Sequence, residues 1–239
     1  MVRLRHVSNL FVAVVLVGVA PSRPAAYEVA AVADGGTITG KVVFQGTAPT
    51  KKIIPDKDPS VCGGMRDDPL VVVGPDKGVE EAVVYVKNVE KGKALAKPAK
   101  PAEIVNHNCR FVPHVQALPV GSIVIVNSDP VMHNTHGFLG KATVFNQALP
   151  VKGQRIPKPL TKPGLVQVKC DVHGWMLAWI HVADNPYYAV TQKGGTFSIP
   201  DVPPGSYTLV AWQEYTGATE VPVTVAPKQA AQVTIELKK

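Results

Sequence analysis

The chain has 239 residues, enough for one large domain or two modest ones that each bury a core without metal or disulfide support. Hydrophobic residues make up 46% against 18% charged, with 20 Gly and 22 Pro, which excludes a collagen, a coiled coil or a disordered tail and favours short strands over helices. The formal net charge of +7 is mild and scattered, and partly carried by Arg3, Arg5 and Arg23, so no nucleic-acid partner is expected.

Arg3, Arg5 and His6 precede the apolar run 10–20 (LFVAVVLVGVA), which is followed by Pro21 and an Ala-rich stretch ending in Ala31-Val32-Ala33. Charged, then apolar, then small is the order of a secretory signal peptide, read here over residues 1–33 with cleavage after Ala33, or alternatively after Ala20. A bilayer-spanning helix takes about 20 apolar residues, so an uncleaved anchor is the second reading and membrane attachment is expected only in that case. The expected location is the periplasm or the extracellular space. Cys62, Cys109 and Cys170 are then an odd count in an oxidising compartment. Because Cys170 stands in a run with His and Met, the economical pairing is Cys62–Cys109, whose long closed loop is worth roughly 4 kcal/mol in the chain-entropy model. The alternatives are two buried thiols, or a second metal held by Cys109 and His114.

Along the chain, residues 37–44 (TITGKVVF) alternate as a half-buried strand does, and residues 70–73 and 82–86 read as further short strands. Residues 51–65 hold Pro, Asp, Lys and Gly-Gly and read as a long surface loop stapled by Cys62. Residues 91–102 (KGKALAKPAKPA) read as an extended solvated connection. The pattern resumes at Glu103, with residues 122–127 (SIVIVN) as the clearest strand, then 142–145, 165–169 and 177–182; residues 156–164 (IPKPLTKPG) read as a loop. Beyond Tyr187 come strands at 196–199, 206–212, 219–225 and 232–237, separated by Gly and Pro turns. No long amphipathic helix is present in this reading, and the fold class is all-β.

The chemistry concentrates in Cys170-Asp171-Val172-His173-Gly174-Trp175-Met176, a C-x2-H-x2-M string at the end of the strand 165–169. A strand cannot point three ligands one way, but a tight loop at its end can fold around one ion. His133 lies just after the strand 122–127, at a second loop. Two imidazoles, one thiolate and a weak thioether are the trigonal set with a long axial Met that suits copper in electron transfer. A covalent c-type haem needs C-x-x-C-H, which does not occur. Structural zinc takes four Cys or His ligands and has no use for Met. A Cys–His hydrolase lacks an orienting third group and oxyanion donors here.

In order and spacing, Phe111-Val112-Pro113, Val120-Gly121-Ser122 through Asn127, Met132-His133-Asn134 and the Cys170–Met176 string resemble the cupredoxins, the small blue copper proteins. The His173–Met176 spacing is similar to the amicyanin type. The resemblance implies a Greek-key β-sandwich over 103–184 with His133, Cys170, His173 and Met176 as copper ligands at one end. It also implies that Asn134 ties the two ligand loops together and that His173 is the partly exposed ligand through which electrons leave. Met132, Phe138 and Trp175, with Val131 and Leu139, would then form an apolar docking patch, or else belong to the core. His136 is placed beside the ligands but not on the metal, and His181 is read as a satisfied sheet residue.

The run Gly194-Gly195-Thr196 through Pro203-Pro204-Gly205-Ser206-Tyr207 is similar to the carboxypeptidase regulatory-like domain, a transthyretin-like β-sandwich, whose beginning resembles Gly36-Thr37-Ile38-Thr39-Gly40. This implies a second, smaller sandwich split around the first, with parts at 34–92 and 187–239, for docking, spacing or adhesion. The expected protein is no enzyme but an exported carrier of single electrons on one copper, working with a c-type cytochrome or an oxidoreductase. A copper carrier or store, or a non-redox adhesion module, are the alternatives.

Overall fold

The computed structural model describes residues 27–239, so the leader reading over residues 1–26 lies outside the described residues. The described chain is strand and turn throughout, apart from a four-residue helix and two short 3-10 turns. No helix among the described residues is long and apolar enough to cross a membrane.

One sandwich is built from residues 102–183. Its first sheet runs in the order Arg155–Leu160, Gly121–Asn127, Ala102–His107, Arg110–Val112, and its second in the order Ala142–Leu149, His133–Leu139, Gly164–Lys169, Leu177–Ala183, Val115–Pro119. Alternation sets the inner faces: Ile123 and Ile125, Val166 and Val168, and Ala178, Ile180 and Val182 all point inward and are fully or almost fully buried. Each large aliphatic side chain sealed this way contributes roughly 1.5–3 kcal/mol. Cys170 and Met176 belong to the same apolar cluster, so the C-x2-H-x2-M loop is anchored into the core at both ends.

The other sandwich draws its strands from both ends of the chain. Tyr188–Val190, Val83–Lys87, Gly205–Gln213 and Gly217–Val225 form one sheet, and Thr196–Val202, Gly36–Phe44 and Ala230–Leu237 form the other. Gly36–Phe44 pairs in parallel with Ala230–Leu237 over its whole length from Thr37 onward. Ile38, Val42, Leu209, Ile235, Leu237 and Tyr187 close its core. Tyr27 donates its hydroxyl to the Lys93 carbonyl (2.6 Å), and Glu28–Val29 pair with Lys91–Gly92. Cleavage after Ala33 would remove these contacts, whereas cleavage after Ala20 would keep them.

Among the elements that differ from the sequence expectation, three do so for a local reason. Residues 155–160 form a strand at a sheet edge, paired with Gly121–Asn127. Pro157 and Pro159 lack an N–H, which an edge strand tolerates because one of its sides pairs with nothing. Residues 133–139 are a strand and not a loop; Asn134, Thr135, His136 and Gly137 gave no alternation to recognise it by. The strand expected at 70–73 falls instead at Arg66–Pro69, hairpinned with Thr50–Ile53, although Val71 is still buried.

The two sandwiches meet through polar and aromatic groups. His114 Nε2 lies 2.8 Å from Glu214 Oε1, its Nδ1 lies 2.9 Å from the Leu177 carbonyl, and Trp179 donates to Glu214 at 2.8 Å. Burial pushes the His114 pKa down, but Glu214 outweighs it and the net direction is up. His114 is thereby committed to the junction, and Cys109 is disulfide-bonded, so these two residues do not form the second metal site considered above. His181 stacks on Tyr85 with ring centroids 4.6 Å apart, and burial pushes its pKa down to about 4 against a weaker pull from Asp184.

That burial has a sign. Below about pH 6.5 the unfolded chain protonates His181 while the folded one refuses the proton, so stability is complete above that pH and falls as the pH drops toward 4. Between pH 7 and pH 5 the wild type should lose about 2 kcal/mol more than His181→Gln. Urea unfolding of both proteins at the two pH values checks this, and equal slopes would refute it.

Candidate metal centre

The strand Gly121–Asn127 delivers the site through its last residue. Asn127 donates its side-chain amide to the carbonyls of Val131 (3.0 Å) and Leu149 (2.9 Å) and accepts from the Asp129 N–H (3.0 Å). This is an Asx turn, and it sets the path of the chain into His133. Asp129, only 2% exposed, accepts three hydrogen bonds: from the backbone N–H of Asn108 (2.8 Å), the backbone N–H of Cys109 (3.0 Å) and Nε2 of His133 (2.8 Å). Asn108 and Cys109 are the two central residues of a tight hairpin, both with positive φ (50° and 53°). The turn presents two consecutive N–H groups to one carboxylate.

His133 is thus tied at Nε2, leaving Nδ1 as its free nitrogen. Burial, reinforced by the neighbouring His173, lowers the His133 pKa against the pull of Asp129, so the ring is neutral at neutral pH. His173 is arranged the same way: its Nε2 lies 2.9 Å from Asp58 Oδ2, and its Nδ1 faces His133 Nδ1 at 3.1 Å. Cys170 Sγ lies 3.8 Å from His173 Nδ1 and accepts the backbone N–H groups of Asn134 and His173, each at 3.4 Å. The donor atoms of His133, Cys170 and His173 all lie within 4.8 Å of one another, and all three residues are buried.

These separations test whether the residues fit an ion. A nitrogen and a sulfur bound to one metal at about 2.0 and 2.3 Å can be at most about 4.3 Å apart, and two such nitrogens at most about 4 Å. The observed 3.8 and 3.1 Å fall inside both limits. Two Nδ1 lone pairs facing each other repel unless a proton or a cation lies between them, so the donor set favours a bound cation. One sulfur and two imidazole nitrogens are a soft to borderline donor set, which suits copper. Met176 is buried in the same cluster, and its N–H closes the loop onto the His173 carbonyl at 3.0 Å.

Around this centre, Asn134 Oδ1 accepts the Asp171 N–H (3.2 Å), joining the His133 and Cys170 segments. His136 does not join the donor set. Its Nδ1 lies 3.1 Å from Asp171 and its Nε2 3.1 Å from Thr143, with the Phe138 ring 3.9 Å away.

One expectation is overturned. His173 is 0% exposed and not a partly exposed ligand, because the segment between Ile53 and Arg66 folds over it. That segment carries the helix Pro59–Cys62, preceded by Asp58 in the left-handed conformation (φ 48°), and the Cys62–Cys109 disulfide closes it. Trp175 packs its ring edge against His173 (5.2 Å) and donates to the Cys109 carbonyl (3.1 Å), so it is half-buried against that hairpin and not on an open docking patch. Phe138 is half-buried on His136, and only Met132 of the three is exposed.

Sequence reasoning missed both carboxylates. Asp129 had a signal, since it precedes His133 by four residues inside a tight Asn-Ser-Asp-Pro turn. Asp58 had none beyond lying four residues from Cys62, because its partner is 115 positions away.

Residues 178–238 match the model of the carboxypeptidase regulatory-like domain family. The match begins inside Leu177–Ala183, a strand that pairs within the sandwich of residues 102–183. No curated protein matches the chain. Among solved structures, a copper-containing nitrite reductase from Thermus scotoductus is similar at 26% identity over 38% of this chain and 24% of that one, with a TM-score of 0.33. This chain therefore spans about a quarter of that enzyme's length. A purple cupredoxin from Nitrosopumilus maritimus is similar at 23% identity over 34% of this chain and 99% of that one (TM-score 0.31), and a reduced amicyanin variant at 19% over 36% and 86% (TM-score 0.33).

Removing the carboxylate of Asp129 leaves two backbone N–H groups and an imidazole N–H buried without an acceptor. Asp129→Ala should destabilise the metal-free protein by roughly 3–5 kcal/mol, read from urea unfolding at pH 7. A loss below about 1 kcal/mol would mean that water replaces the carboxylate.

Proposed function

We propose that this protein is an exported single-copper electron carrier, with His133, Cys170 and His173 as its strong ligands and Met176 as the weak one. The observation that carries the reading is the pair of imidazoles, each held at Nε2 by a carboxylate and each presenting Nδ1 toward the other, beside a buried free thiol. Carboxylate–imidazole pairs of this kind fix the ring and raise its basicity as a ligand. Copper, when bound, supplies a one-electron couple. The chain supplies a buried donor set held by the sandwich and by the disulfide, so little rearrangement accompanies a change of charge.

The protein itself makes and breaks no bonds in this reading and is not an enzyme. Its partners would be redox proteins, of which a c-type cytochrome or an oxidoreductase are the expected classes. The disulfide supports an oxidising compartment, periplasmic or extracellular. A segment closed over His173 favours holding the ion over delivering it, which sets electron transfer ahead of copper delivery or storage. The sandwich shared by both chain ends would serve for docking or spacing.

Titration of the exported form with Cu(II), followed by visible absorption and electron spin resonance, should give one copper per chain, an intense thiolate band and narrow hyperfine splitting. Cys170→Ser should abolish the band and keep the fold. Met176→Leu should retain copper at an altered potential. A colourless protein would overturn the reading, and rapid loss of copper to a chelator would replace it by copper delivery.

A further inference from the structure

We infer that the Cys62–Cys109 pair, when reduced, is a second soft-metal site that shares His173. The two sulfurs and a ring nitrogen of His173 lie within 4.8 Å of one another, and Cys109 also groups at that spacing with Asp129 and His133. All these groups are buried, and Asp58, whose side chain is 40% exposed, borders them at Nε2 of His173. In the oxidised chain both sulfurs are spent on each other and offer no thiolate. Reduction by a dithiol breaks the S–S bond: two electrons and two protons pass to the protein sulfurs, and the dithiol leaves as its own disulfide. Two thiols and an imidazole are then a donor set for Cu(I), the soft state of the metal.

The local structure permits the change without global unfolding. Between residues 54 and 65 Cys62 is the only buried residue, and Gly63 and Gly64 follow it directly. Such a segment, with little buried apolar surface, opens at low cost once its staple is gone. Nε2 of His173 is paired with the Asp58 side chain, which is partly exposed and can turn to solvent while Cys62 stays beside Cys109, so this nitrogen can serve the second site while Nδ1 continues to face His133 and Cys170.

The site does not require the copper reading at Cys170, and the test separates the two. Cu(I) binding is measured anaerobically against bicinchoninate, before and after treatment of the whole exported protein with a water-soluble phosphine, which leaves as its oxide. Wild type should bind one Cu(I) oxidised and two reduced. Cys170→Ser should bind none oxidised and one reduced, and the double variant Cys62→Ser, Cys109→Ser should bind one in both states. Thiol titration must rise from one to three per wild-type chain with the circular dichroism unchanged. One Cu(I) in the reduced wild type with three thiols present would overturn the inference, as would thiols that appear only as the dichroism collapses. Failure of the Cys170 site alone would leave the reduced Cys170→Ser result intact.

Discussion

The Cys62–Cys109 bond joins a peripheral segment to the hairpin beside the candidate metal centre, and it does so at the point where the segment has almost nothing else to hold it. It closes a loop with a sequence separation of 47, worth roughly 4 kcal/mol in the chain-entropy model. The ion pairs nearby, Arg66–Asp68 and Arg110–Asp68, are partly exposed and contribute at most about 1 kcal/mol each. The disulfide therefore dominates the placement of Asp58, and through Asp58 the orientation and burial of His173. The same hairpin turn that carries Cys109 also donates to Asp129, so both imidazoles are aligned from one small region.

Each histidine is consequently specified by an element distant from the strand or loop that bears it. His133 begins a strand but takes its orientation from an Asx turn and a left-handed hairpin; His173 sits in the C-x2-H-x2-M loop but takes its orientation from a segment far upstream. The apolar cluster supplies the stiffness. Cys170 and Met176 lie in it together with Phe111, Phe145 and Leu149, so the ligand loop cannot shift without opening the core.

Much of this was legible from residue types and spacing. Residues 122–127, 165–169 and 177–182 stood out as short apolar runs between turn residues and are strands, and the odd cysteine count separated Cys170 from the other two. What was hidden had physical causes. Pro157 and Pro159 disguise a strand, because the rule against proline in sheets lapses at an edge. The strand His133–Leu139 is polar on positions that the site uses, so function erased its periodicity. The exposure of His173 was misjudged because its cover comes from a segment whose composition describes only a loop. Asp58 shows the limit most clearly, since no local pattern marks a residue whose role is defined by a neighbour 115 positions later.

The parallel pairing of Gly36–Phe44 with Ala230–Leu237 places the first long strand of the described chain against the last. A ribosome or a translocation channel therefore releases the early strand long before its neighbour exists. Until the final residues emerge, Ile38 and Val42 have no finished core to enter, while residues 102–183 already hold a complete set of partners. The shared sandwich must close a loop that spans nearly the whole described chain, an entropy cost that its long-range pairing carries. Its unpaired strand edges are also the half most exposed to aggregation during that interval.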